Sequence, residues 1–321
     1  MSLLDIAVVG ELNVDLILTG LAGFPEMGAL KLAKDMSFTL GSSSAIFASN
    51  IARLGLRVGF AGKAGKDNFG DFILASLQAN SVDTSRIVRS GAARTGICVC
   101  MSFPENYAMV SFPGIRETFT VDEVDFDYVK QARHMHLSSY YIQPGMRPGC
   151  PRLFRWAREN GLTTSFDPDT DPAGEWGEAI FEVLENVDVF LPNETEAMRI
   201  SGTQDLESAV EKLTKYVKFL IIKRGARGVL AVTDSRRVEA APFRISPVDT
   251  TGAGDSFNAG FLYQFLGGAS LEECLIWGNA CGALSTTKMG GTAGFPTLAE
   301  AHEFIRERSP EVSRMVAKAK G

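Results

Sequence analysis

The sequence predicts an α/β protein with a doubly wound, mainly parallel sheet and helices on both faces. Short, continuously apolar runs alternate with amphipathic stretches, the pattern of strands buried on both faces and of helices packed against them. The predicted strands are Ile6–Gly10, Val58–Ala61, Met135–Leu137, Thr163–Asp167, Val187–Leu191 and Phe219–Lys223. The predicted helices include Ala45–Leu54, Phe69–Asn80, Pro151–Asn160, Glu194–Ser201 and Leu206–Tyr216.

Two regions, at about residues 12–40 and 93–115, break this alternation with short strands joined by turn residues. In the second, Cys98–Phe103 and Tyr107–Phe112 flank Pro104-Glu105-Asn106, the pattern of a hairpin. We expect the two regions to form a small sheet beside the main one, placed as a lid over a ligand. The whole chain, residues 1–321, is expected to be a single domain.

Composition excludes several classes of partner. The chain has 321 residues, is 45% hydrophobic and carries a net charge of −6, which argues against nucleic acid or an anionic membrane as a partner. No apolar run reaches membrane-spanning length and no signal peptide is recognisable, so we expect a cytoplasmic protein. Five cysteines without a CxxC pair and three unclustered histidines predict reduced thiols and no zinc site.

The most informative segment is Asp249–Phe257. Gly252-Ala253-Gly254 permits close approach to the backbone, and apolar residues at every fourth position then predict a helix. The start of that helix would present unpaired N–H groups to an anion, and Asp255, in its first turn, is expected to stay ionised. Such an arrangement suits transfer of a phosphoryl group to a hydroxyl, with the carboxylate taking the proton. The alternative is a plain glycine turn in which Asp255 only pairs with the helix dipole.

This segment resembles the C-terminal signature of the ribokinase-like (PfkB) family of carbohydrate and nucleoside kinases. The resemblance implies that Asp255 is the catalytic base and that the backbone of Gly252, Ala253 and Gly254 forms the anion hole. It also implies ATP as the phosphoryl donor, Mg²⁺ as its counter-ion, and a small sheet that closes over the sugar and joins two chains as a homodimer.

A second group of polar residues follows the first predicted strand. Asn13 and Asp15 are expected to face the same side at the carboxyl end of that strand, where a carboxylate and an amide suit the hydroxyls of a polyol. The family resemblance implies that Asp15 binds sugar hydroxyls with help from Asn13. The alternative is a turn in which Asp15 caps its own backbone.

Gly41-Ser42 precedes a predicted helix whose first N–H groups could hold a hydroxyl or a phosphate. The segment resembles the family's first signature and places Gly41 and Ser42 in the substrate site. It departs from that signature at Ser42, where a second glycine is usual, and at Ile46, where an asparagine commonly touches substrate. We therefore expect a less polar or differently shaped acceptor.

Several further residues match the family's nucleotide and metal motifs. Asn193 and Glu196 have the spacing of a helix capping box, and the resemblance implies that they position Mg²⁺, Glu196 through water. Lys223 could pair with a phosphate as a point charge. The remaining matches are Gly225, Gly228 and Asn279 near the nucleotide, and Asp249 and Thr251 in a loop that could hold a monovalent cation such as K⁺.

The sequence thus predicts ATP-dependent phosphorylation of a hydroxymethyl group on a small sugar or sugar derivative, as in ribokinases and fructokinases. A nucleoside kinase of the same family and a non-catalytic sugar-binding regulator remain alternatives. A dinucleotide oxidoreductase is disfavoured because Phe257 stands where a third glycine is needed. The acidic segment Asp167–Asp171 is assigned no role.

Overall fold

The computed structural model describes residues 3–103 and 106–308. The ends of the predicted domain 1–321 and two residues of the predicted hairpin turn, Pro104 and Glu105, lie outside the described residues. Within the described ranges, no helix is both long enough and apolar enough to cross a membrane.

The described strands form two sheets, one of nine strands and one of four. The large sheet contains β1 (Ile6–Val9), β4 (Val58–Gly65), β5 (Val82–Ser90), β8 (His134–Leu137), β9 (Thr163–Phe166), β10 (Val189–Phe190), β11 (Phe219–Lys223), β12 (Val229–Val232) and β13 (Arg237–Ala240). Their order is β13-β12-β11-β10-β9-β8-β1-β4-β5. All neighbouring pairs from β5 to β11 are parallel, and β12 and β13 add an antiparallel edge, so the predicted mainly parallel sheet is confirmed.

Helices cover both faces of the large sheet, as predicted. They are α1 (Ser43–Arg53), α2 (Asn68–Ala79), α3 (Phe126–Val129), α4 (Cys150–Glu159), α5 (Ile180–Leu184), α6 (Glu194–Ser201), α7 (Leu206–Leu213), α8 (Ala253–Leu266), α9 (Leu271–Ser285) and α10 (Leu298–Arg308). Strand β1 shows why its sequence is continuously apolar: Ile6 and Val8 pack in the core under α1, α2 and α8–α10, whereas Ala7 and Val9 pack in the core under α3–α7.

The structure differs from the predicted elements in two respects. The predicted strand Val187–Leu191 is only Val189–Phe190, because the side chain of Asp188 receives the backbone N–H of Thr164 and Pro192 has no N–H to offer. Strands β5, β12 and β13 were not predicted. Strand β13 alternates exposed with half-buried residues, and β5 mixes buried, half-buried and exposed ones, so both lack the continuous apolar character of the predicted strands.

The small sheet has the order β3-β2-β6-β7 and contains β2 (Asn13–Thr19), β3 (Asp35–Leu40), β6 (Gly96–Ser102) and β7 (Tyr107–Phe112). The predicted hairpin is present as the antiparallel pair β6–β7. Strands β2 and β6 are parallel, so the two irregular regions of the sequence meet along the middle of this sheet. Because β2 follows β1 closely in the chain, one end of the small sheet adjoins the carboxyl edge of the large one.

Candidate active site

The glycine turn before α8 is a set of free backbone donors. Gly252 has φ of +70°, and a Cβ there would lie 2.7 Å from the Cα of Gly291, so only glycine fits. Among the described residues, the N–H groups of Gly252, Gly254 and Asp255 have no acceptor, whereas that of Ala253 donates to the carbonyl of Thr250 at 3.2 Å. The free donors of this turn are therefore the N–H groups of Gly252, Gly254 and Asp255, whereas the N–H of Ala253, which was predicted to belong to an anion hole, is already engaged.

Asp255 is 8% exposed, and none of the described residues donates a hydrogen bond to its carboxylate. Burial, followed by the nearby carboxylate of Asp167, raises the pKa of Asp255 well above its usual range, and Lys223 opposes the shift. The expectation that Asp255 simply stays ionised took account of the helix terminus alone, and burial acts in the opposite direction. A raised pKa and free lone pairs are the properties that a general base requires.

Lys223 lies close to the glycine turn and forms an ion pair with Asp167, a residue of the acidic segment that was assigned no role from the sequence. Its Nζ donates to Asp167 at 2.6 Å, and a Cβ added at Gly254 would lie 3.5 Å from the same Nζ. The amide of Asn258, on α8, also donates to Asp167. The sequence does contain a signal for this contact. Asp167 directly follows β9 and Lys223 ends β11, so both lie at the carboxyl edge of the parallel sheet.

The predicted capping box at the start of α6 is present. The backbone N–H of Asn193 donates to Glu196 at 2.7 Å, and that of Glu196 donates to the Asn193 side chain at 2.9 Å. Burial, then the carboxylate of Asp167, raises the pKa of Glu196 to about 8. The structure thus brings Glu196 close enough to Asp167 and Lys223 for their charges to act on its carboxyl group.

This group of side chains fits a divalent cation. The carboxylates of Asp167, Glu196 and Asp255 are buried and that of Asp169 is partly buried. Burial and then the nearby Asp167 carboxylate raise the pKa values of Asp169, Glu196 and Asp255, and the ammonium of Lys223 opposes these shifts. Added positive charge would relieve this repulsion. Among the described residues no three of these carboxylates place oxygens close enough to chelate one ion. That geometry suits Mg²⁺, which keeps several of its waters.

At the other end of the site, Asn13 and Asp15 face the same side, as predicted, and are joined by a hydrogen bond of 3.0 Å. The guanidinium of Arg116, which sequence reasoning missed, donates to Asn13 at 3.1 Å. A Cβ at Gly41 would lie 2.2 Å from an Asp15 oxygen, so glycine is required beside the pair. Burial raises the pKa of Asp15 to about 7, and Arg116 acts against the shift.

The hydroxyl of Ser42 is used inside the protein. It donates to the backbone carbonyl of Glu11 at 2.7 Å and accepts the N–H of Ala45 as the N-cap of α1. The hydroxyl of Ser44 donates to the buried Glu11 carboxylate at 2.6 Å. The predicted substrate contact of Ser42 therefore cannot use its hydroxyl proton, because Glu11 already accepts it.

Ile46 lies directly against the glycine turn before α8. Cβ atoms added at Gly252 and Gly291 would lie 3.1 Å and 2.5 Å from its side chain, and Ile46 itself is buried. One helical turn further on, Asn50 donates to the hydroxyl of Ser256 and to the carbonyl of Gly291, each at 3.0 Å. The amide that the family signature places at position 46 is thus replaced by an apolar wall.

Asp249 and Thr251, the candidate cation ligands, lie together beside the glycine turn before α8. Asp249 accepts hydrogen bonds from the N–H and hydroxyl of Thr251 at 2.9 and 2.8 Å, and from the N–H of Gly290 at 2.8 Å. The carboxylate thereby ties the loop before α8 to the segment after α9.

Of the remaining predicted nucleotide residues, Gly228 and Asn279 lie against the end of β13 and the segment that follows it. Gly225 and Gly228 have φ of +55° and +80°, and a Cβ at Gly228 would lie 2.1 Å from the carbonyl of Ala240. The amide of Asn279 donates to the carbonyl of Ala241 at 2.9 Å. Ala240 and Ala241 also line a cavity of about 530 Å³, which none of the predicted catalytic residues lines.

Free N–H groups at a glycine turn, beside a buried carboxylate without a hydrogen-bond donor, form the arrangement that phosphoryl transfer to a hydroxyl requires. A family model described as pfkB family carbohydrate kinase matches residues 3–298. The chain belongs to the pfkB family of carbohydrate kinases. The predictions of this family and of carbohydrate kinase activity are confirmed.

Similar proteins agree with this assignment. An uncharacterised sugar kinase of Archaeoglobus fulgidus is 32% identical over 250 residues, which cover 77% of this chain and 98% of the relative. The 2-dehydro-3-deoxygluconokinase of Bacillus subtilis is 30% identical over 294 residues, which cover 87% of this chain and 90% of the relative. The structure of Arabidopsis thaliana ribokinase complexed with ribose and ATP shares the fold, with a TM-score of 0.82, 24% identity and coverage of 94% of this chain and 99% of that one.

Proposed function

We propose that this kinase transfers the terminal phosphoryl group of ATP to a hydroxymethyl group of a small sugar or sugar derivative, as ribokinases and fructokinases do. The observation that carries the proposal is Asp255: it is buried, receives no hydrogen bond from the described residues, and adjoins the free N–H groups of its own turn. A carboxylate in that position can accept a proton from a hydroxyl while the turn stabilises the transferring group.

In this mechanism the two ends of the site have separate tasks. Asp15 and Asn13 bind the acceptor's hydroxyls, and Arg116 holds Asn13 in place through its 3.1 Å hydrogen bond. Asp255 takes the proton of the hydroxymethyl group as its oxygen attacks the phosphorus. The N–H groups of Gly252 and Gly254 and the ammonium of Lys223 then face the negative charge that builds on the phosphoryl oxygens.

The nucleotide and its metal have matching residues. Glu196, oriented by its capping box with Asn193, would hold Mg²⁺ through water, and the bound ion would neutralise phosphate charge. The Gly225–Gly228 turn and Asn279 would border the nucleotide. Asp249 and Thr251 would shape a loop for a monovalent cation next to the anion hole.

The apolar side chain of Ile46 beside the glycine turn limits which acceptors can be recognised there. An apolar side chain beside the turn offers no hydrogen bond to the acceptor there, so recognition rests on Asn13 and Asp15. The polyol face of a sugar or sugar acid matches this pair. A nucleoside acceptor and a non-catalytic sugar-binding role are the alternatives that the experiment below separates.

We also propose that the chain forms a homodimer through the small sheet. Of the large apolar side chains exposed among the described residues, all but Leu3 and Val248 belong to residues 12–40 and 93–115. An exposed apolar patch of this kind is typical of a protein interface. Light scattering should show a dimer, and the substitution Val110→Asp in the small sheet should dissociate it. Val248 is similarly exposed but lies outside the small sheet, so the control variant Val248→Asp should remain dimeric.

The function is tested by ADP release from Mg-ATP against a panel of ribose, fructose, 2-keto-3-deoxygluconate and nucleosides, with Asp255→Asn in parallel. Turnover on one class of acceptor that the variant loses would support the kinase mechanism and identify the substrate. Acceptor binding without turnover, in protein that also binds ATP, would overturn it in favour of the regulator.

A further inference from the structure

A cluster of metal-ligating side chains lies on the inner strands of the small sheet. Asp15 on β2 stands directly opposite Cys98 on the parallel strand β6, and Cys100 follows two residues later on the same face. Among the described residues, this is the one group of three or more His, Cys, Asp or Glu whose ligand atoms lie within 4.8 Å of one another. The sequence predicts no zinc site because it has no CxxC pair and no histidine cluster; the pairing of β2 with β6 brings Asp15 to two cysteines that are two residues apart.

The spacing of the two thiols matches a metal-bound pair. The Sγ atoms of Cys98 and Cys100 are 3.8 Å apart. In a tetrahedral zinc site with Zn–S bonds of about 2.3 Å, two sulfurs are separated by about 3.8 Å. The third ligand atom, a carboxylate oxygen of Asp15, lies within 4.8 Å of both sulfurs. Because oxygen and sulfur ligands of such a tetrahedron are about 3.5 Å apart, a movement on the order of 1 Å at most would complete it.

The chemistry of the donor set selects the kind of cation. Two thiolates favour soft or borderline ions such as Zn²⁺ and Cd²⁺ over Mg²⁺, which prefers oxygen ligands. Cys100 and Asp15 are buried and Cys98 is half-buried, so the metal would be reached from one side only. Arg116 is a cation close to this group; its two Nη atoms donate to Asn13 and Ser111, and its buried Nε has no partner among the described residues.

We propose that Asp15, Cys98 and Cys100 form a binding site for a thiophilic divalent cation, and that this cation and the acceptor sugar exclude one another because both require the Asp15 carboxylate. The second half of this statement rests on the proposed function; the first does not. Occupation by metal would take Asp15 away from the acceptor and cross-link β2 to β6, so the kinase would be inhibited by zinc in a thiol-dependent manner.

The binding step is tested on the purified, reduced full chain. Competition with a chromophoric chelator should show one Zn²⁺ per chain, and Cd²⁺ should produce the ultraviolet charge-transfer absorption of a cadmium–thiolate bond. Cys98→Ser and Cys100→Ser should each weaken binding by about tenfold or more. Cys274→Ala, which removes a buried thiol of α9, should not change it. Absence of the charge-transfer band in the unmutated protein, or unchanged Zn²⁺ affinity in the double serine variant, would overturn the proposal.

The exclusion step is tested by kinetics with Mg-ATP in large excess. Zn²⁺ should raise the KM of the acceptor while leaving that of ATP unchanged, and the double variant Cys98→Ser/Cys100→Ser should lose this inhibition. Equal inhibition of the double variant would show that zinc inhibits without the two thiols, and it would contradict the exclusion. If no acceptor is turned over at all, the proposed function fails, yet the chelator and cadmium measurements still decide the metal site.

Discussion

The two ends of the candidate site are built on opposite principles. At the end proposed for phosphoryl transfer, which we call the transfer end, Asp255 has several charged neighbours but receives no hydrogen bond from the described residues. At the end proposed for acceptor binding, which we call the acceptor end, Asp15 accepts a hydrogen bond from Asn13, which in turn accepts one from Arg116. A group that must accept a proton needs its lone pairs free, whereas a group that must select a substrate needs a fixed orientation. The contrast predicts that mutations at the two ends alter different kinetic constants.

The largest effect is expected from Asp255→Asn. Without a base, turnover should fall by about 10²–10⁴-fold, because the amide cannot take the hydroxyl proton. The KM of the acceptor should change little, because acceptor binding is assigned to Asp15 and Asn13. The melting temperature should also change little, since no described residue donates a hydrogen bond to the Asp255 carboxylate. Steady-state kinetics checks both constants, and the melting temperature serves as the control. Unchanged turnover would show that Asp255 is not the general base, and the proposed difference between the two ends of the site would then fail.

Asp15→Asn should act mainly on acceptor binding. Loss of a charged hydrogen-bond acceptor weakens a polar contact by about 1.5–3 kcal/mol, so kcat/KM for the acceptor should fall roughly ten- to a hundredfold. The KM of ATP should stay as it is in the unmutated enzyme. A loss confined to kcat would show that Asp15 belongs to the transfer end instead.

The pH profile sharpens the same comparison. Because burial raises the pKa of Asp15 to about 7, kcat/KM for the acceptor should fall as the pH drops through about 7, where the carboxylate gains a proton. The same shift has the opposite sign for stability: the buried carboxyl contributes stability at low pH that is lost as the pH rises through about 7. In Asp15→Asn the activity step near pH 7 should vanish, and its persistence would assign it to another group.

The smallest effect is expected behind the acceptor end, where Glu11 is held by serines. Ser44→Ala removes the donor to a buried carboxylate oxygen and should lower the free energy of unfolding by about 1–3 kcal/mol. Ser285→Ala is the matched control, since its buried hydroxyl donates only to the carbonyl of Gly282 in its own helix. Equal destabilisation of both variants in urea denaturation would show that the hydrogen bond to Glu11 stabilises the protein no more than the hydroxyl–carbonyl contact of Ser285 does.

Features formed by neighbouring residues could be predicted from the sequence alone. The turn at Gly252, the capping box of Asn193 and Glu196, and the hairpin β6–β7 each involve residues within a few positions of one another. Local propensity and spacing determine such features before the chain folds. The parallel sheet was equally predictable, because strands buried on both faces must be continuously apolar.

Only the tertiary structure decided which distant side chains meet. Asp167 joins Lys223 across 56 residues, and Arg116 joins Asn13 across 103. Cys98 meets Asp15 because β2 and β6 pair in one particular register, and a shift of one residue would turn the thiols to the other face. The sequence by itself therefore determined the class of chemistry, which resides in a local turn. The partners that tune it depend on sheet order and strand register, which are set by packing of the whole core.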